Sequence, residues 1–331
     1  MNSVPLAELH VHLEGTVPPA LVRRLAARNG LTVPEGVFET PDRFRWVDFL
    51  DFLRTYDLAA SVIRTAEDYR DITYAYLTAC AAEGAIYIEL IASPDHARSV
   101  GLSDAEHYAG IAAGIDDARA ATGIEARIVV TAIRNFGVEA AVDIARRHAD
   151  DRHPYVVGFN LSGDEAGYPA PLFAEAYAIA AASGLGCTVH AGEHDGASSV
   201  RAALDLPVSR ISHGVRAIED PALVEEIAAR EIVLEICPTS NIATGVFSTY
   251  EEHPLRVLHE AGVKVTLGSD DPPYFGCTIG GEYALAHQRF GFEEGELRTI
   301  TRTAVQGSFA DDAVKHALLN RITASSDRRS E

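Results

Sequence analysis

Apolar residues along this chain gather into eight short runs, at about 7–13, 86–92, 125–132, 156–162, 186–191, 210–213, 232–237 and 264–269. Longer stretches of helical periodicity separate them. Several runs, such as Ala85-Ile86-Tyr87-Ile88-Glu89-Leu90-Ile91 and Ile232-Val233-Leu234-Glu235-Ile236, are almost continuously apolar, the pattern of parallel strands covered on both faces. Ser103-Asp104-Ala105-Glu106 reads as a capping box ahead of a helix running towards residue 121, and Asp220-Pro221 as a cap followed by proline at the first helical position. Eight strand-helix units in series, with no composition break between them, predict an α/β fold of the (β/α)8 barrel type. We expect one domain over residues 1–322 and a polar, frayed tail over 323–331. No Gly-x-Gly-x-x-Gly turn follows an early strand, which argues against a doubly wound dinucleotide-binding sheet.

One interval breaks the regularity. The segment from about 37 to 84 is too long for a single crossover and contains the apolar helical stretch Trp46-Val47-Asp48-Phe49-Leu50-Asp51-Phe52-Leu53. It predicts a helical insertion after strand one, serving either as a lid over a site or as exterior packing.

Composition narrows the function. Against 28 Lys+Arg stand 48 Asp+Glu, a formal charge of −20, which works against binding nucleic acid, an anionic membrane surface or a polyanionic substrate. No apolar stretch approaches membrane-span length, and the first residues lack a secretion signal, so we expect a cytoplasmic protein. Cys80, Cys187, Cys237 and Cys277 show neither zinc-finger nor redox spacing and read as buried reduced thiols.

The candidate chemistry sits at the ends of the strand runs. His10 and His12 are two apart in an extended segment, so their imidazoles point to one side and can share an ion. Past later runs come His190 and Glu193, His213, and the pair Asp270 and Asp271. In a (β/α)8 barrel, groups at the C-terminal strand ends meet in one mouth. His10, His12, His190 and Asp270 supply the nitrogen and oxygen ligands zinc accepts, although iron, manganese or cobalt takes the same set. A bound divalent ion lowers the pKa of a water to about 7. Glu193 is placed to shuttle protons, and His213 to orient the water and stabilise charge, with Glu235 as a possible support. Strand four ends Gly158-Phe159-Asn160-Leu161-Ser162 without the lysine that bridges paired metals in binuclear barrels, so one ion per chain is expected.

With these residues in place the chain resembles the adenosine deaminase family of the amidohydrolase superfamily. The resemblance is carried by His10-Val11-His12-Leu13-Glu14-Gly15-Thr16, Leu161-Ser162-Gly163-Asp164-Glu165, His190-Ala191-Gly192-Glu193, Ser212-His213-Gly214, Cys237-Pro238-Thr239-Ser240-Asn241 and Ser269-Asp270-Asp271-Pro272, in the family's order. It implies hydrolytic deamination: hydroxide adds to C6 of a purine, the adduct collapses and ammonia leaves. By motif, His10, His12, His190 and Asp270 hold one divalent ion, zinc first. Glu193 protonates N1, and His213 and Asp270 handle the water. Gly163 meets N3, Asp271 meets N7, and Glu14 stands where adenosine enzymes hold the ribose with Asp. Phe49 and Leu53 lie on the helix that closes over the ligand. The resemblance ranks an N9-substituted adenine first, adenosine or 6-amino-6-deoxyfutalosine, with free adenine behind. Another amidohydrolase cleaving an amide or phosphoester is the alternative, and a binding protein without turnover is disfavoured because no ligand or proton-transfer residue is missing. The partner implied is a small-molecule purine, and the oligomeric state stays open.

Overall fold

The structure, a computed structural model, describes residues 4–327. Eight parallel strands form it: β1 (Leu6–His12), β2 (Ala85–Ala92), β3 (Glu125–Ile133), β4 (Val156–Ser162), β5 (Gly186–Cys187 and His190–Ala191), β6 (Arg210–His213), β7 (Val233–Ile236) and β8 (Lys264–Leu267). Each coincides with one of the eight apolar runs. Strand β5 is interrupted, its first half pairing with β4 and its second with β6, so it joins the two halves of the sheet.

Closure falls between β1 and the end of β8. The Asp270 N–H donates to the His10 carbonyl at 3.1 Å, and the His12 N–H donates to the Asp270 carbonyl at 2.9 Å. At Gly268 a Cβ would stand 2.7 Å from the His10 carbonyl oxygen. Only glycine lets the strands meet there.

Residues two apart share a face, so Glu8, His10 and His12 line the interior while Ala7 and Leu9 pack outward against Ala304 and Val305 of the helix Glu294–Gly307. The interior is strongly polar. Fully buried Arg210 lies between Glu89 (2.7 Å) and Glu235 (2.6 Å), with its guanidinium 3.6 Å from the Phe309 ring centroid. Phe309 seals the barrel floor, and a Cβ at Gly186 or Gly158 would meet its ring at 2.0 or 2.5 Å.

The insertion after β1 comprises a small antiparallel pair, Phe38–Thr40 with Arg43–Phe44, then helices α1 (Phe49–Ala60) and α2 (Ala66–Ala82). Asp48 caps α1 by accepting from the Asp51 N–H at 2.8 Å, and Thr65 with Asp68 forms a capping box on α2. The predicted caps at Ser103 and Asp220 are both present. The last helix runs Asp312–Asp327, into the span expected as a tail; residues 328–331 lie outside the described residues.

Removing Arg210 leaves two buried carboxylates without their cation, which costs about 3–5 kcal/mol. Arg210→Ala should therefore lower the denaturant unfolding midpoint by a corresponding amount, read by circular dichroism.

Candidate active site

Every strand end named from the sequence opens into one cavity of about 290 Å³. His12, Phe49, Leu53, Gly163, His190, Glu193, His213, Asp270 and Asp271 all line it, and His10 lies directly beneath with no exposure.

The donors are close and oriented. The Nε2 atoms of His12 and His190 are 3.3 Å apart, and Asp270 Oδ1 lies 3.4 Å from His10 Nε2 and 3.3 Å from His12 Nε2. Such spacing suits ligands about 2.0–2.1 Å from a common ion, zinc's distance to nitrogen and oxygen donors. The backs of the rings are pinned: His10 Nδ1 faces the Glu235 carbonyl at 3.3 Å, and His190 Nδ1 faces Asn160 Oδ1 at 3.1 Å. Both acceptors draw the ring proton to Nδ1 and leave Nε2 as a lone pair towards the centre. His10 Nε2 is buried with no hydrogen-bond partner among the described residues. A cation at the centre satisfies it, so the donor set fits a single divalent metal.

Two of these groups sit on strained backbone. His213 (φ 62°) and Asp270 (φ 63°) adopt the left-handed conformation, which costs non-glycine residues about 1–3 kcal/mol. It turns their side chains from the strand direction into the mouth.

Glu193 is gripped from both sides, with His213 Nε2 3.5 Å from Oε2 and His194 Nε2 3.2 Å from Oε1. Burial pushes its carboxyl up, but the imidazoles of His213 and His194 beside it outweigh that and pull it down to about 2. Asp271 goes the other way. Burial, then the neighbouring Asp270 charge, raises it well above its ordinary value. Gly15 makes room for it, since a Cβ there would fall 1.7 Å from Asp271 Oδ1.

Glu14 departs from expectation. The short turn Glu14–Thr16 tucks its carboxylate away from the cavity, where it accepts from Tyr69 Oη (3.3 Å) and the Ser93 N–H (3.2 Å). Glu235 also does other work: it accepts from Ser212 Oγ at 2.8 Å and pairs with Arg210, while the partner of His213 Nδ1 is Asn241.

Sequence reasoning missed the residues behind these. Glu165 accepts from the backbone N–H groups of Gly192, Glu193, His194 and Asp195, so one buried carboxylate holds the loop that carries Glu193. Ser240 Oγ donates to Asp270 Oδ2 at 2.7 Å. Glu165, Ser240 and Asn241 stand inside the quoted motifs, which was their signal; Asn160 and His253 carried none.

Comparison with known proteins agrees with this geometry. The sequence profile for adenosine deaminase matches residues 5–325. The chain belongs to the adenosine deaminase family. This deaminase is 48% identical over 314 residues to an adenine deaminase of Sinorhizobium medicae, covering 95% of this chain and 96% of the relative. Its structure is similar to that of an adenine deaminase from Arthrobacter aurescens, with TM-score 0.91, 31% identity, and 98% and 99% of the two chains covered. It is similar too to an amidohydrolase from Burkholderia ambifaria with bound zinc, with TM-score 0.88, 27% identity, and 99% and 93% covered. The deaminase is a metal-dependent aminohydrolase acting on C–N bonds of amidines. Among its described residues no helix is long and apolar enough to cross a membrane.

Because Glu165 acts only through the loop, Glu165→Gln should lower kcat by about 100-fold, the scale of a small misplacement of a reacting group. Metal content by elemental analysis should stay unchanged.

Proposed function

We propose that this chain deaminates adenine, releasing ammonia and hypoxanthine, with one ion held by His10, His12, His190 and Asp270. The observation that carries the choice of substrate is the orientation of Glu14: no carboxylate from that position enters the cavity to hold a ribose. The volume of about 290 Å³ lies at the small end for ligand sites. Relatives named adenine deaminases, at 48% and 31% identity, support the same reading. The Ser162-Gly163-Asp164-Glu165 turn favours an N9-substituted adenine such as adenosine or aminodeoxyfutalosine, which we rank second.

A divalent ion bound there, zinc first, supplies a Lewis acid that brings the pKa of a water to about 7. Glu193 starts ionised between His213 and His194, takes the proton from the attacking water and hands it to N1. His213 faces the same carboxylate and stabilises charge as C6 becomes tetrahedral. Asp271 meets N7, and Gly163 borders the N3 edge. Phe49 and Leu53 on α1 form the outer wall, and this helix acts as the lid that excludes water. The substrate is a small purine, with no nucleic acid and no membrane as partner. The four cysteines are free thiols, which suits the reducing cytoplasm.

A spectrophotometric panel of adenine, adenosine and aminodeoxyfutalosine tests the substrate. Adenine should lead in kcat/KM by at least about 100-fold; a lead for either nucleoside would overturn the choice. Glu193→Gln should keep its metal while turnover falls at least about 100-fold, the contribution of a proton-transfer group. Near-normal activity would remove Glu193 from the mechanism.

A further inference from the structure

Behind His213 runs a buried chain of hydrogen bonds whose every direction is dictated by one backbone amide. It begins at Leu255, whose N–H donates to His253 Nδ1 at 3.2 Å. A backbone N–H can only donate, so this Nδ1 is a lone pair and the ring proton of neutral His253 lies on Nε2. His253 Nε2 is 3.1 Å from Asn241 Oδ1 and donates to it. That fixes the amide, turning Asn241 Nδ2 to His213 Nδ1 at 3.2 Å. An NH2 group can only donate, so His213 Nδ1 accepts and the proton of His213 stands on Nε2.

We propose that Asn241 and His253 are positioning residues that hold His213 as the Nε2–H tautomer. The frame is rigid. His213, Asn241 and His253 are buried, and Asn241 is tied at both backbone ends, donating to the Cys237 carbonyl and accepting from the Phe247 N–H. Flipping the amide would set its NH2 against the Nε2–H of His253, donor against donor.

The consequence concerns the division of labour. His213 Nε2 points at Glu193 Oε2 (3.5 Å) and Asp270 Oδ2 (3.9 Å). Carrying a proton, it donates to those oxygens or to the one developing at C6 and takes no proton from water. Acceptance of that proton falls to a carboxylate, Glu193 in the mechanism proposed above. This inference rests on the mechanism proposed above for the role of His213, but the tautomer is independent of the substrate.

The test is long-range ¹H–¹⁵N correlation spectroscopy on zinc-loaded enzyme with ¹⁵N-labelled histidine, the His213 ring being assigned by its loss in His213→Gln. The wild-type ring should show a bare Nδ1 and a protonated Nε2; the opposite pattern overturns the proposal without any variant. In Asn241→Asp the carboxylate should draw the ring proton to Nδ1 and lower kcat at least about tenfold, with zinc retained and KM little changed, as for loss of a transition-state contact. His253→Gln, whose amide N–H can still donate to Asn241, should keep the wild-type tautomer and most of the activity, whereas His253→Phe should lose both. An unchanged tautomer in Asn241→Asp also overturns the proposal. The expected tautomer in an enzyme inert towards adenine would leave the relay standing and defeat the substrate reading alone.

Discussion

Asp270 closes the barrel and completes the site with the same few atoms. Its N–H and carbonyl bond the backbone of His10 and His12, while its carboxylate faces their imidazoles. The first and last strands therefore cannot separate without dispersing these imidazoles and the carboxylate that faces them. This double use explains why a left-handed aspartate is tolerated there: hydrogen bonds on both sides over-determine its conformation. Gly268, just before it, allows the close approach.

Inside the barrel, polar groups do what aliphatic layers do in many others. Most carry a partner, as burial requires. Glu8 accepts from Tyr76 Oη and from the Ser269 N–H and Oγ, yet burial still lifts it to about 7. Ser269 directly precedes Asp270, so this cluster steadies the approach to the seam. Arg210, Glu89 and Glu235 form the layer below, and the Glu235 carbonyl supports His10. The histidine and aspartate donors thus stand on charged side chains that are themselves neutralised and locked, which favours a preorganised cluster over a pliable one.

The eight strands were legible because parallel strands covered on both faces leave unbroken apolar runs, and these runs are too short for buried helices. The gathering of the candidate groups at one cavity was legible for a related reason: chemistry confined to strand ends falls at fixed places in such runs. What the pattern could not supply was the direction of side chains in the connecting turns. Glu14 looks like a cavity residue from its motif, but a single helical turn rotates it towards Tyr69 and Ser93. Glu165 reads as one more acid in a loop, and its hold on four consecutive amides exists only once the chain from Gly192 to Asp195 is folded around it. His253 lies twelve residues from Asn241 in an unremarkable polar stretch. Nothing local marks it.

The sealed floor has a consequence for traffic. Phe309, wedged against Gly158 and Gly186 and capped by the Arg210 guanidinium, blocks passage along the barrel axis. Incoming substrate and water, and the departing ammonia and deaminated ring, must therefore share the rim beside the aromatic helix. With one doorway, the ring product must clear the rim before the next substrate can enter.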